Sequence, residues 1–339
     1  MRAVAYMHPL SVEAADTFVD VDLPRPVPGP RDLVVRVEAV SVNPVDVKTR
    51  KGTDPNGTPK VLGYDAAGTV DAVGDEVTLF KPGDRVFYAG SIVRPGTDSE
   101  LHAVDERIVG PMPEMLSFAE AAALPLTSIT AWELLFDRIG VKPGDMSDRR
   151  SLLVVGGAGG VGSAAIQIAR ALTGLTVVAT ASRPETVAWV KQLGAHHVID
   201  HTQPMAPQLA ALGLTPDIVT LFVGTNQHAA EVCEVVAPQG HVGVIEGTDS
   251  FDGTALTALR GKSAALHFEL MFTRPRLQTP DMIRQHELLD EVAVLVDAGR
   301  IRTTLTKTLS PINAANLREA HRLVETGRTI GKVVLAGWA

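Results

Sequence analysis

Cysteine is almost missing from this chain, with one residue, Cys233, among 339. A lone thiol makes no internal disulfide and cannot supply the paired thiolates of a structural zinc site; it points to a reducing compartment and a fold without covalent staples. Aromatic residues are few as well, at 9 Phe, 3 Trp and 3 Tyr, a poor supply of stacking platforms for single-stranded nucleic acid. Positive charge is in deficit, because 31 Lys and Arg against 39 Asp and Glu leave a net charge of −8. Nucleic acid is therefore not an expected partner. No segment reaches the ~18 uninterrupted apolar residues of a membrane span. The opening Met1 to Pro9 lacks the apolar core of a secretory signal. A cytoplasmic location with no membrane partner is the expectation.

What the chain does contain is ordinary for a folded protein, with 45% hydrophobic and 21% charged residues. Its length exceeds what one core usually serves, which predicts two domains. Up to about residue 125 the pattern is short β runs cut by turns. Leu33–Val40 alternates near its end, Gly68–Gly74 is bounded by glycines, and Lys81-Pro82-Gly83-Asp84 reads as a turn feeding a strand. Pro24, Pro26, Pro28 and Pro30 forbid a regular helix or central strand before the first of these runs. From Ser117 the period becomes helical, and strands then alternate with helices: Leu152–Val155, Thr176–Thr180, His197–Ile199, Asp217–Val223 and His241–Ile245, with helices at Pro184–Leu193 and Gln227–Val236. This predicts an α/β chain whose second part is a doubly wound parallel sheet. A β run at Ala264–Met271, a long helix at about Thr279–Ala298, a helix near Ala314–Glu325 and a final strand at Lys332–Leu335 complete the pattern.

Directly after the strand Leu152–Val155 comes Gly156-Gly157-Ala158-Gly159-Gly160-Val161-Gly162-Ser163, in which Gly157, Gly159 and Gly162 satisfy G-x-G-x-x-G. Glycine suits this place because the chain turns sharply, the backbone must approach a pyrophosphate and the helix must pack tightly on the strand. The helix N-terminus then holds the anion. The flanking strand and helix favour a dinucleotide site over an ordinary turn. At the end of the second strand an NAD site usually carries Asp or Glu; here stand Thr180-Ala181-Ser182-Arg183. A guanidinium and a hydroxyl suit a 2′-phosphate, so NADPH is the expected cofactor, bound by Gly157, Gly159, Gly160, Val161, Gly162, Ser182 and Arg183. Ser182-Arg183-Pro184-Glu185 also reads as a capping box, which by itself would account for Ser182.

The chain resembles the medium-chain dehydrogenase/reductase superfamily over nearly its whole length, and within it the quinone oxidoreductases and the zinc-type alcohol dehydrogenase-like proteins related to ζ-crystallin. The stretches that carry the resemblance are Ser41-Val42-Asn43-Pro44-Val45-Asp46, Gly63–Val70, Lys81–Val86, Leu124–Trp132 and the glycine loop. It implies a GroES-like β-rich catalytic domain from residues 1–125 and 274–339 around a Rossmann NADPH-binding domain at 126–273. It also implies a homodimer in which the last Rossmann strand, Ala264–Met271, pairs across the interface. The zinc-dependent members place a cysteine and a Gly-His-Glu where this chain has Asn43 to Asp46 and Gly63-Tyr64-Asp65. A catalytic zinc needs about three protein ligands; Asp46, Asp65 and His102 are an oxygen-rich alternative, but no metal is expected. Cys233 reads as a small buried hydrophobe.

Without a Lewis acid, a conjugated acceptor is the easier substrate, since hydride arriving at carbon leaves a delocalised anion. The expectation is hydride transfer from NADPH to a quinone or α,β-unsaturated carbonyl, a small electrophile. By resemblance Asn43 and Asp46 line the substrate side, where Asn43 either donates to the acceptor oxygen or belongs to an Asn-Pro turn. Tyr64 either donates its hydroxyl or packs its ring. Thr127 and Thr130, Gly224 and Thr225 touch the cofactor in relatives, although Thr127 equally suits a helix cap. Tyr88 and Phe272 are assigned to the substrate pocket, with Thr273 beside the latter. His196 and His197 read as exposed. Two alternatives stay open, a zinc-type alcohol dehydrogenase and an NADPH-binding sensor or structural protein without turnover.

Overall fold

The structure is a computed structural model and describes residues 1–247 and 250–338. The chain divides into two units, Met1–Ile129 with Phe272–Ala339, and Thr130–Met271. The boundaries expected after residues 125 and 273 differ by a few positions because short helices, Pro125–Trp132 and Thr273–Leu277, run past both of them.

The first unit is built around the 11-residue strand Asp32–Val42, buried at nearly every position. It pairs antiparallel with Ala66–Val73, Leu101–Asp105 and the C-terminal strand Lys332–Ala336. Lys332–Ala336 in turn pairs parallel with Leu305–Leu309. Arg85–Tyr88 and Val109–Pro111 extend the sheet on the other side to seven strands. Val35, Val37, Val40, Tyr88, Val333 and Leu335 belong to its apolar core. Along the proline-rich stretch 23–29 no helix or strand forms, as the fixed φ and missing donors of Pro require.

The second unit holds a six-stranded parallel sheet. Counted along the chain from Ser151–Val155, its strands stand in the 3-2-1-4-5-6 order of a doubly wound nucleotide-binding fold. Ser151–Val155 lies at the centre and is buried at all five positions, which is why it reads as an unbroken apolar run. Two elements are shorter than expected. The last strand covers only Ala265–Phe268. The long helix begins at Arg284, because Pro280 and a hydroxyl–carboxylate bond from Thr279 to Asp281 (2.6 Å) keep the preceding residues in turns.

Candidate functional site

In the first unit, Asn43 is the N-cap of the helix Pro44–Gly52. Pro44 opens that helix where its missing N–H costs nothing. Asp46, in the first turn, reaches back and accepts from the backbone N–H of Asn43 (2.7 Å) and from that of Gly63 (3.1 Å). The Asn43 side chain turns away from the helix, its amide nitrogen donating to Asp65 Oδ2 at 2.8 Å and to the Ser41 carbonyl at 3.3 Å. Lys332, from the C-terminal strand, donates to Asp65 Oδ2 at 2.9 Å and to the Asn43 side-chain Oδ1. The other Asp65 oxygen accepts from the Leu126 N–H (2.8 Å) at the start of the helix Pro125–Trp132, where the helix dipole favours a negative charge. Asn43, Asp46, Asp65 and Lys332 are all at least 96% buried.

Burial governs the electrostatics here. It pushes Asp46 up to about 7, with the neighbouring Asp65 adding to the rise and the hydrogen bonds from Asn43 and Gly63 opposing it. Burial likewise raises Asp65 against the pull of Lys332, Leu126 and Asn43. Asp98, buried beside Gly63, is raised well above its ordinary value by burial and by the neighbouring Asp46. A Cβ on Gly63 would stand 2.7 Å from its Oδ1 and 2.4 Å from Thr97 Oγ1. Gly63 also has φ +105°, so only glycine fits. Tyr64 is buried, its ring edge-on to Phe272 at 5.1 Å. Its hydroxyl bonds Thr49 and is held above the usual phenol range by burial and Asp46.

One expectation changes, that for Tyr88, and two open alternatives are narrowed. Both amide hydrogens of Asn43 are committed inside the cluster, so donation to an acceptor oxygen is not available while those bonds stand. Tyr88 is completely buried and its hydroxyl bonds His102 Nδ1 (3.1 Å), so it is a core residue and not part of a pocket wall. His102 gives Nε2–H to the Pro95 carbonyl (2.9 Å) and is lowered to about 4 by burial, so it is neutral and apart from the Asp46–Asp65 pair. The residues do not fit a zinc ion. Asn43 Oδ1 and Asp65 Oδ2 receive an ammonium, and Asp65 Oδ1 and both Asp46 oxygens receive backbone amides. Among the described residues no group of three or more His, Cys, Asp or Glu is placed to hold a metal.

The second unit carries the glycine loop. Gly156 has φ +85°, and its N–H bonds Thr180 Oγ1 (3.0 Å) on the neighbouring strand. A Cβ on Gly162 would meet the Gly156 carbonyl oxygen at 2.2 Å, and one on Gly157 would meet Ala179 Cβ at 2.9 Å. Gly159 is the N-cap of the helix Gly160–Leu172, so Gly160, Val161 and Gly162 form its first turn. Gly224, at φ +68°, precedes the helix Thr225–Val235, and the Thr225 hydroxyl is buried without a partner. Thr127, in the first unit, spends its hydroxyl on the Leu124 carbonyl (3.1 Å), a local role at a helix start; Thr130 is buried.

The expected capping box is differently built. The helix starts at Pro184 with Arg183 as N-cap, and Thr186 Oγ1 accepts from the Arg183 N–H (3.1 Å). Ser182 is thereby released from capping. Arg183 pairs with Glu185 at 3.3 Å. Sequence reasoning missed His201, which follows the strand His197–Ile199 with Nδ1 buried and unpartnered and its ring edge-on to His228. It also missed Lys332 and Asp98. The one available signal for Lys332 was a charge opening an apolar strand.

The alcohol dehydrogenase GroES-like domain family matches residues 29–128, and the zinc-binding dehydrogenase family matches residues 193–335. A zinc-type alcohol dehydrogenase-like protein of Staphylococcus aureus is 39% identical over 337 residues, covering 99% of each chain. This chain belongs to the medium-chain dehydrogenase/reductase superfamily. It is an oxidoreductase of that type, with a GroES-like unit and a Rossmann unit, in a family that binds nicotinamide cofactors. A quinone oxidoreductase of Pseudomonas aeruginosa is 34% identical over 317 residues, covering 91% of this chain and 92% of its own. A solved structure from Rhizobium etli, described as a zinc-dependent alcohol dehydrogenase, superposes with a TM-score of 0.95 at 56% identity, covering 100% of this chain and 98% of the other.

Proposed function

We propose that this chain is a zinc-independent, NADPH-dependent reductase of quinones or α,β-unsaturated carbonyls. The observation that carries the reading is the occupation of the Asn43 and Asp65 oxygens by the Lys332 ammonium, where relatives named for zinc would need metal ligands. A fixed cation tied to a carboxylate is a poor Lewis acid for a simple ketone, whereas a conjugated acceptor disperses the charge left by hydride addition. The bound nicotinamide supplies the hydride.

The protein's part is positioning and proton supply. Gly157, Gly159, Gly160, Val161 and Gly162 receive the pyrophosphate, and Gly224 and Thr225 contribute from the next loop, with Thr225 offering an unpartnered hydroxyl. Ser182, freed from capping, and Arg183 suit a 2′-phosphate, which must compete with Glu185 for the guanidinium. In the first unit burial keeps the Tyr64 hydroxyl protonated and able to donate, and Asp46, raised to about 7, can exchange a proton near it. Tyr64 or water returns the proton to the reduced acceptor. A cytoplasmic homodimer belongs to the same proposal. The strand Ala265–Phe268 is an edge strand of its sheet, ends on the exposed Phe268 and is followed by the exposed Leu270.

The test is NADPH oxidation by purified, metal-analysed protein across quinones, enones, alkenals and simple ketones. Turnover of the conjugated acceptors, unchanged by a chelator, is expected. NADPH binding without turnover would leave a sensor or structural protein. Ketone reduction that requires stoichiometric zinc would restore the alcohol dehydrogenase reading.

A further inference from the structure

His241 and His267 stand on neighbouring parallel strands of the Rossmann sheet, far along the fold from the glycine loop's own strand. His241 pairs across with Ala265, and His267 with Gly243. Positions 241 and 243 share a face, so the two histidines lie on one diagonal of that face. Both direct cross-strand partners are small, and the imidazoles lean together over them. His241 Nδ1 and His267 Nε2 are 3.0 Å apart, with ring centroids at 5.1 Å and planes at 41°. The other close histidine pair, His201 and His228, stands edge-on at 6.0 Å with no bond between the rings.

We propose that His241 and His267 form a chelating pair for a divalent transition-metal ion, Cu²⁺ first. Two neutral imidazoles hold one proton between their facing nitrogens. Because His267 gives its other N–H to the Arg138 backbone, that proton sits on His241 Nδ1 and moves to His241 Nε2 when a metal ion takes its place, so both ligands stay neutral. Cis ligands at about 2.0–2.1 Å in a square or octahedral shell stand about 2.9 Å apart, while a tetrahedral zinc needs about 3.3 Å. The spacing of 3.0 Å is within reach of two nitrogens bound to one ion, and Cu²⁺ heads the affinity order for such ligands. The ligand orientation is already supported, because His267 also bonds the backbone of Arg138, the kind of outer partner that fixes a metal-binding imidazole. Both rings are half-buried, and burial lowers the proton affinity of each, as does Arg150 for His241 and His241 for His267. That favours the neutral form a metal requires. Arg150 itself is neutralised by a bidentate pair with Asp148. The remaining coordination positions fall to water, so the ion would cross-link the edge strand Ala265–Phe268 to its neighbour His241–Val244.

Copper titration of untagged protein, followed by calorimetry and electron paramagnetic resonance, tests the site. One Cu²⁺ per chain with two nitrogen ligands is expected, and His241→Asn or His267→Asn should weaken it about tenfold or more. His8→Gln should leave it unchanged. Equal affinity in the wild type and both strand variants would overturn the proposal. Because those variants alter strand packing, the unmodified protein gives a second readout. Substoichiometric Cu²⁺ should broaden the imidazole resonances of His241 and His267 before those of other histidines, and their persistence at saturation would also overturn it.

Discussion

Lys332 is the single positive charge at the centre of the first unit's polar cluster, and two buried groups depend on it. Its ammonium serves Asp65 and Asn43 together, while Asp46 has backbone donors only. Lys332→Met should therefore destabilise the protein by about 3–5 kcal/mol, the usual result of leaving a buried charge without its partner. Urea unfolding measures this, and Asp65→Asn in the same chain should recover part of the loss. Asp46 makes a different prediction. Its folded value, about 7, lies above the ordinary 3.8, so the folded chain binds the proton more tightly. That stabilisation is complete below about pH 4 and is lost as pH rises to about 7. The stability difference between the wild type and Asp46→Asn should move against the wild type across that window, and no change would mean that Asp46 stays ionised. At Arg183, Glu185→Gln should tighten NADPH by a few fold and leave NADH alone, while Arg183→Glu should weaken NADPH far more than NADH, as paired titrations would show. These residues also mark what the sequence could reveal. Asn43, Asp46 and Arg183 stand in recognisable local motifs. Lys332 stands 267 residues from Asp65 and was legible only as part of a strand. Tyr88 looked like a pocket residue because nothing local announces the His102 that takes its hydroxyl.

At the scale of elements, the glycine loop was readable in sequence because its demands are local. Gly156 needs a positive φ and Gly162 needs room against a carbonyl one turn away in the chain. Gly162→Ala should cost about 1–3 kcal/mol through overpacking and reduce nucleotide binding with it, measured by thermal unfolding and NADPH fluorescence. The start of the helix at Pro184 was read correctly, but its cap was placed one residue early, at Ser182, for an equally local reason. Pro184 prefers the first helical position, which makes Arg183 the cap and hands the return bond to Thr186. The helix Arg284–Asp297 was overextended since hydrophobic periodicity continues through Met282 and Ile283 while the backbone there is still turning.

For the whole molecule, the lone cysteine becomes a reporter. Cys233 is buried in the core of the second unit, and burial raises its thiol to about 11. A disulfide reagent at pH 8 should label it only when that core opens. NADPH at 100 times its dissociation constant should slow the labelling roughly a hundredfold if opening requires release of the cofactor. Equal rates with and without NADPH would show that the nucleotide does not bind this core's folded state selectively. The two-unit division was visible as a change of hydrophobic period, and the parallel sheet as runs of apolar residues. The pairing of the first strands with the last ones was carried by family resemblance alone. That pairing sets an order of events during synthesis. The Rossmann segment is complete once Met271 has been made, but Asp65 and Asn43, translated among the first seventy residues, wait for Lys332. A nascent chain thus carries an unfinished polar cluster from Asp65 until Lys332 is added, and a chain halted short of Lys332 holds a whole nucleotide fold and an uncompensated first unit.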